Sequence, residues 1–279
     1  MKAYFGRFWL LAVFAFLYAP LLFLIFFSFN STRQDGVFTG FSLRWYSALL
    51  ADSRLVEGFF LSLKVALLTA TLSAVLGAFA AFVLVRYERF RGRPLFVGLV
   101  NAPLVMPEVI IGLALLLLMV AVQRAIGWPE RGMGTIVIGH TLLGMAYATV
   151  VIQSRLREMD RSIEEAAMDL GCRPLQVFFL ITLPSIAPAM VAAWLLTFTL
   201  SFDDVVISEF LSGPGVTTLP QVIFSYARRG INPSIYAAAT LLIGVVSAGI
   251  ILYSLYVLRQ QRKREREIRA ALQLEPSRS

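Results

Sequence analysis

Apolar runs of about twenty residues recur along this chain, and they constrain its fold more than any other feature. A helix needs about 20 apolar residues to cross the hydrocarbon core of a bilayer. The six runs are Phe8–Phe29, Val65–Val85, Leu95–Val122, Thr135–Ile152, Ile186–Leu211 and Tyr236–Leu258. Of the 279 residues, 58% are hydrophobic and 15% are charged, whereas soluble domains are about 25% charged. The sequence therefore predicts an all-α, polytopic membrane protein with six transmembrane helices in a single transmembrane domain over residues 1–279.

The first run is interpreted as a membrane anchor rather than a secretory signal. It contains 22 uncharged residues, which is longer than the apolar core of a signal peptide. The residues at its end, Ser28-Phe29-Asn30, do not form a small-x-small cleavage site. We therefore count this run among the spans.

The basic residues are divided unequally between the two sides of the predicted spans. Seventeen Lys and Arg residues lie on one side, including those of the tail 259–279, and seven lie on the other. Because cytoplasmic loops carry the excess of basic residues, both termini and the loop 153–185 are predicted to be cytoplasmic. Contacts with anionic lipid headgroups then account for the net charge of +8, and we expect the lipid bilayer rather than a nucleic acid as partner.

The loop 153–185 contains the pattern of a short amphipathic helix, a glycine turn and a second helix. Counting by helical spacing places Ile163, Ala166, Ala167 and Leu170 on one apolar face. Gly171 can adopt the left-handed conformation that ends a helix, and a proline three residues later can begin the next one. This pattern suits a surface that a partner protein approaches closely, and it equally suits a helix lying on the bilayer.

The order of residues in this loop resembles the signature loop of the permease subunits of binding-protein-dependent ABC importers. The residues of this loop that the resemblance assigns to ATPase coupling are Glu165, Ala166, Ala167, Asp169, Gly171, Ile181, Leu183 and Pro184. In that family the loop is a coupling helix that sits in a groove of the cytoplasmic ATPase. The resemblance implies the six-helix fold of these permeases and coupling to an ATPase through residues 165–184.

Other segments resemble the polyamine branch of the same family, and within it the second permease subunits of putrescine importers. These segments are Pro103–Glu108, Ser162–Gly171, Asp203-Asp204 and Ser212–Pro220. Glu108 stands where this branch is expected to have Asp, and Lys64 at a span edge is a second departure. The resemblance implies a multi-pass protein of the bacterial inner membrane that forms half of a pathway for putrescine or a related polyamine. Its implied partners are a homologous second permease, two ATPase subunits and a periplasmic polyamine-binding protein.

Acidic residues inside the predicted spans are candidates for the substrate pathway, because a charge in the bilayer is costly and usually faces a wet interior. Helical rise places Glu108 about 21 Å and Asp203 about 22 Å from the cytoplasmic ends of their spans. Asp203 and Asp204 are about 100° apart on a helix, so only one of them would face a pathway. Asn101, seven residues before Glu108, shares its predicted helix face. The alternative is that these carboxylates cap helix kinks or pair with basic residues.

The chain lacks the signatures of an enzyme. It has no G-x-x-x-x-G-K-[ST] segment, so we expect no cofactor in this chain and assign ATP and Mg to the ATPase partners. His140 has no G-x-S-x-G nucleophile to accompany it, and we interpret it as a hydrogen-bonded packing residue. The single Cys172 cannot form an internal disulfide, and one thiol does not make a metal site. We therefore expect a transport subunit with no catalytic residues and no metal.

Two alternatives stay open on the sequence. One is an importer of the same architecture for another small solute. The other is an ion-coupled secondary carrier, although such carriers usually contain paired inverted repeats and we find no internal repeat here.

Overall fold

A computed structural model of the protein describes residues 2–32, 37–87, 89–229 and 233–274. Helices account for most of these residues. In chain order they are α1 Lys2–Ser28, α2 Arg44–Ala51, α3 Ser53–Arg86, α4 Arg93–Val105, α5 Glu108–Ile126, α6 Met133–Glu158, α7 Arg161–Asp169, α8 Pro174–Val177, a π-helical turn Phe178–Thr182, α9 Leu183–Phe202, α10 Val206–Leu211, α11 Leu219–Arg228 and α12 Pro233–Leu274.

Five of the described helical segments are long and apolar enough to cross a membrane. They are Phe5–Ser28, Ser53–Arg86, Glu108–Ile126, Met133–Glu158 and Pro174–Phe202. The all-α, multi-span class is therefore confirmed. The predicted sixth span lies in α12, which continues as one helix to Leu274. Residues 275–279 of the predicted basic tail lie outside the described part of the chain.

Two of the predicted spans are not continuous helices. The third divides into α4 and α5 at Met106-Pro107, because Pro107 has no N–H to donate and disfavours a helical conformation at the residue before it. The prediction that Asn101 and Glu108 share one helix face is therefore wrong, since the break lies between them. The fifth span stops at Phe202 and resumes as α10 at Val206.

The chain forms two compact units, and the first contains residues Met1–Asp52 and Tyr226–Ser279. In this unit α1 and α2 each pack against α12. Asn30 orders the connection from α1 to α2, because its Nδ2 donates to the carbonyl of Val37 at 2.7 Å and its Oδ1 accepts from the Thr39 N–H at 3.0 Å. Trp45 Nε1 donates to the Asn30 carbonyl at 2.7 Å, which fixes α2 to the end of α1.

The second unit, Ser53–Ser225, has α3, α6 and α9 at its centre. Small residues line the contact between α3 and α6. A methyl group added to Gly77 would lie 2.6 Å from the Cβ of Ala148, and Ala81 and Ala148 are completely buried. Such residues let two helix backbones approach closely, which is a common basis for helix association in membranes.

A second buried cluster lies toward the start of α6. It joins α5, α6 and α10 through the apolar side chains Ile111, Leu115, Ile136, Ile207 and Leu211. The short helix α10 is therefore held inside the unit, and the break between α9 and α10 has a fixed position relative to α6.

Candidate functional site

The segment that resembles the signature loop folds as the sequence predicts. Helix α7 begins after Asp160, whose carboxylate accepts a hydrogen bond from the Ser162 N–H at 3.0 Å; this bond lowers the pKa of Asp160. Gly171 has φ of +90°, and the Cys172 N–H donates to the carbonyl of Ala167 at 3.1 Å. Pro174 then begins α8. The helix, the glycine turn and the proline start are all confirmed.

The apolar face of α7 is largely directed away from the rest of the chain. Ile163 is 52% exposed and Leu170 is 87% exposed, and Ala166 is also exposed. Ala167 departs from the predicted face, because it is buried. Helix α7 therefore presents apolar side chains outward from a loop, which is an arrangement that a partner protein can cover.

Glu164 holds α7 in place, although no local pattern in the sequence marks this residue. Its carboxylate lies 2.8 Å from Nε of Arg86 and accepts from Nη2 of the same residue at 3.2 Å. Thr182 Oγ1 donates to Glu164 Oε1 at 2.6 Å. The Nε–H of Arg86 makes no hydrogen bond, so the pair is held by the attraction of its charges and by the Nη2 bond, while Thr182 holds the carboxylate from the other element. The side chains of Arg86 and Glu164 are only 8% and 11% exposed.

The second half of the signature segment surrounds this anchor. The π-helical turn joins α8 to α9 without a break in the helical path. Ile181 and Leu183 are half-buried on either side of the buried Thr182, and Pro184 is exposed in the first turn of α9. Turns of this kind are rare and often mark functional positions. The matched residues therefore flank the hydroxyl that bonds Glu164.

A buried polar cluster fixes the break between α9 and α10. Asp204 Oδ2 accepts from the Ser208 N–H at 2.8 Å and lies 3.0 Å from Nε2 of His140. His140 Nδ1 lies 2.7 Å from the hydroxyl of Ser201. A neutral His140 that donates from Nε2 to the carboxylate accepts from Ser201 at Nδ1. The side chains of His140 and Asp204 are 2% and 8% exposed, so His140 is a hydrogen-bonded packing residue, as predicted.

The two neighbouring aspartates have different surroundings. Asp204 caps α10 and is bound to α6, whereas Asp203 is exposed just beyond the end of α9. The expectation of two adjacent residues within one helix is wrong here, because the helix ends at Phe202 and the Asp204 side chain satisfies the first N–H groups of α10 instead. Asp203 is thus the carboxylate that the structure leaves accessible.

Glu108 is exposed in the first turn of α5, where a carboxylate also complements the helix dipole. Helix α5 packs against α10, with Phe210 over Gly112. Glu108 is the first residue of α5, and Asp203 lies just before the start of α10. These two helices pack against each other. Asn101 is half-buried on α4, and its Nδ2 donates to the carbonyl of Val97 at 2.8 Å. Within the described ranges, no group of three or more His, Cys, Asp or Glu side chains is arranged to hold a metal ion.

Comparison with known proteins agrees with these features. Residues 73–265 match the family of the binding-protein-dependent transport system inner membrane component. The chain is 55% identical over 264 residues to the putrescine transport system permease protein PotI of Escherichia coli K12, covering 94% of both chains. It is 34% identical over 252 residues to the spermidine/putrescine transport system permease protein PotC of the same strain, covering 90% of this chain and 93% of that protein.

The fold is also found among solved structures. A chain of a bacterial alginate ABC transporter, in complex with an alginate pentasaccharide-bound periplasmic protein, superposes with a TM-score of 0.66 at 15% identity. The match covers 93% of this chain and 94% of that one. At this identity the likeness shows the fold alone. The family match over most of the chain, together with its two permease relatives, shows that this protein belongs to the family of binding-protein-dependent transport system inner membrane components, whose members here are permease subunits and not enzymes.

Proposed function

We propose that this chain is one of two homologous permease subunits of an ABC importer in the bacterial inner membrane, and that it forms half of a pathway for putrescine or a related polyamine. The observation that carries the proposal is the 55% identity to the putrescine permease PotI over 94% of both chains. The similarity to PotC, which is named for spermidine and putrescine, keeps the proposed substrate at the level of the polyamine class.

The proposed topology has six spans and two cytoplasmic termini. Helices α4 and α5 together form one broken span, and the apolar part of α12 forms the sixth. The unequal division of basic residues, seventeen against seven, supports this orientation. It directs the loop with α7 toward the cytoplasm, where an ATPase subunit can reach it.

The proposed coupling site is the exposed surface of α7. Its apolar residues Ile163 and Leu170 are available to a partner, and Glu165 and Asp169 are exposed beside them. The buried bonds of Glu164 would carry a displacement of α7 into the membrane helices. ATP and Mg bind in the two ATPase partners, and a periplasmic polyamine-binding protein delivers the substrate.

The proposed contacts with the substrate are the exposed carboxylates of Glu108 and Asp203, with the side-chain oxygen of Asn101 as an additional acceptor. An ammonium group is a donor only, so it requires acceptors of this kind. Asp204 is assigned a structural role, because its carboxylate is already bonded to His140 and to the start of α10.

The test is uptake into proteoliposomes that contain this chain, its partner subunits and ATP, with the binding protein added outside. ATP-dependent uptake of radiolabelled putrescine, inhibited by unlabelled putrescine and spermidine but not by a sugar, is the expected result. Inhibition by an unrelated solute alone would favour an importer with another substrate. Uptake driven by an ion gradient in the absence of the ATPase subunits would favour a secondary carrier.

A further inference from the structure

A strongly basic cleft of about 550 Å³ lies within the second unit, where the ends of α3 and α6 meet the starts of α4 and α7. Five arginines line it, and they are Arg86, Arg89, Arg93, Arg157 and Arg161. Among the described residues, the rest of the lining is formed by apolar side chains, including Leu84 and Met159, and contains no carboxylate. The cleft therefore combines an apolar wall with several guanidinium groups.

Most of this positive charge is not compensated by the described part of the chain. Arg86 is paired with Glu164, which does not line the cleft, and Arg161 Nη2 donates to the carbonyl of Arg86 at 3.0 Å. Arg89, Arg93 and Arg157 have no carboxylate partner among the described residues. The Nε–H of Arg93 is buried without a hydrogen-bond acceptor. A buried donor of this kind is costly unless an acceptor is supplied.

The positive charge of Arg93 is further disfavoured by its position at the start of a helix. It is the first residue of α4, which is preceded by Gly92 and has no acidic residue in its first turn. The N-terminus of a helix carries partial positive charge and favours an anion. Helix dipoles can explain Arg86 and Arg157, because these lie in the last turns of α3 and α6. They cannot explain Arg93.

We propose that this cleft binds the headgroup of an anionic phospholipid. The cleft lies at the ends of two helices long enough to span the bilayer, which is the level of the lipid headgroups. The adjacent surface of α4 exposes Leu95 and Leu99, at 67% and 63%, so acyl chains can continue along it. Basic pockets between transmembrane helices on the cytoplasmic side are suited to such headgroups. The proposal rests on the membrane placement proposed above, but not on the substrate or on the ATPase.

The test compares two double variants that remove the same charge from neighbouring positions. Arg89→Gln/Arg157→Gln removes two arginines of the cleft. Arg91→Gln/Arg155→Gln removes two arginines that do not line it, each two residues from its counterpart. Each full chain is purified with its partner subunits, incubated with equal amounts of phosphatidylglycerol and phosphatidylcholine of identical acyl chains, and examined by native mass spectrometry for retained lipid.

We expect the unaltered complex and the Arg91/Arg155 variant to retain phosphatidylglycerol selectively. We expect about 30-fold weaker retention in the Arg89/Arg157 variant, which corresponds to about 2 kcal/mol. Equal retention in both variants would overturn the proposal. If the complex showed no preference between the two lipids, and if inorganic phosphate added alone bound to the unaltered complex but not to the Arg89/Arg157 variant, the cleft would be assigned to a free anion instead. Loss of the ATPase subunit from the Arg89/Arg157 variant, with lipid retention unchanged, would assign it to a protein contact. Because lipid retention and polyamine uptake are measured separately, failure here is distinguishable from failure of the proposed function.

Discussion

At the scale of single residues, Glu164 and Glu165 show how far two neighbouring carboxylates can differ. Glu165 is exposed on α7 and matches the family signature, whereas Glu164 is buried against Arg86 and Thr182. A carboxylate that is removed from water in this way must keep its partners, because an unpaired charge left in its place is costly. The two residues are therefore expected to serve stability and partner binding separately.

Replacing Glu164→Gln should destabilise the subunit by about 1.5–3 kcal/mol, because the guanidinium of Arg86 loses its charged partner in a buried site. Glu165→Gln is the matched control, since it removes the same charge one residue away and should leave stability unchanged while weakening ATPase recruitment. The measurement is the thermal unfolding midpoint of the purified complex, alongside the amount of co-purified ATPase. Equal midpoints for the two variants would contradict the anchoring role of Glu164.

The adjacent aspartates yield a second prediction. Asp204→Asn should reduce recovery of the intact complex, because the carboxylate that holds His140 and the first turn of α10 is lost. Asp203→Asn and Glu108→Gln should leave the complex intact and slow polyamine uptake, because their carboxylates are exposed and form no ion pair within the described part of the chain. Recovery of complex and initial uptake rates are measured together. Parallel loss of complex and uptake in the Asp203 variant would show that this residue is structural too.

At the scale of elements, the turn after α7 requires a left-handed residue. Gly171 has φ of +90° and no atom within 4 Å of an added Cβ, so a substitution there strains the backbone rather than creating a clash. An L-residue in this conformation costs about 1–2 kcal/mol. Gly171→Val should therefore impair uptake and ATPase recruitment, and Gly171→Asn should restore part of both, because Asn tolerates this conformation. An Asn variant as defective as the Val variant would indicate another cause.

The contact between α3 and α6 depends on close approach instead. Gly77→Ala would bring a methyl group to 2.6 Å from the Cβ of Ala148, and overpacking of this kind costs about 1–3 kcal/mol. Gly98→Ala on α4 is the matched control, since no atom lies within 4 Å of its added Cβ. The thermal midpoint of the complex should fall for the first variant and stay constant or rise for the second. An unchanged thermal midpoint for Gly77→Ala would mean that α3 and α6 can move apart to accommodate the added methyl group.

At the scale of the whole molecule, the orientation in the membrane is open to a direct test. After Ser279, a reporter that is active only in the cytoplasm should show activity, and a reporter that is active only in the periplasm should not. The reason is that the excess of basic residues lies on the side predicted to carry both termini. A reporter fused in the turn at Gly215, between α10 and α11, should show the opposite behaviour. Periplasmic activity of the fusion after Ser279 would reverse the proposed orientation and remove α7 from the reach of an ATPase.

The sequence predicted the helical class and the shape of the signature loop because both depend on local patterns. Apolar length gives the spans, and Gly171 and Pro174 mark the turn by their own backbone preferences. The contacts that fix these elements could not be predicted in the same way. Arg86 and Glu164 are 78 residues apart, as His140 and Asp204 are 64 apart, and no spacing rule joins residues that meet only after helices pack. The end of α9 at Phe202 depends on such a contact.

The bonds of Glu164 have a mechanical consequence. This carboxylate joins the end of α3, the body of α7 and the turn that leads into α9, so it would serve as a pivot shared by three helices if α7 were displaced by a partner. From that pivot α9 runs 20 residues to the break before Asp203, a rod of about 30 Å. A tilt of about 10° at the pivot would displace the far end by about 5 Å over that length. In the proposed orientation, a small angular movement at the cytoplasmic end of α9 would be converted, by the length of a single helix, into a shift of several ångströms beside Asp203.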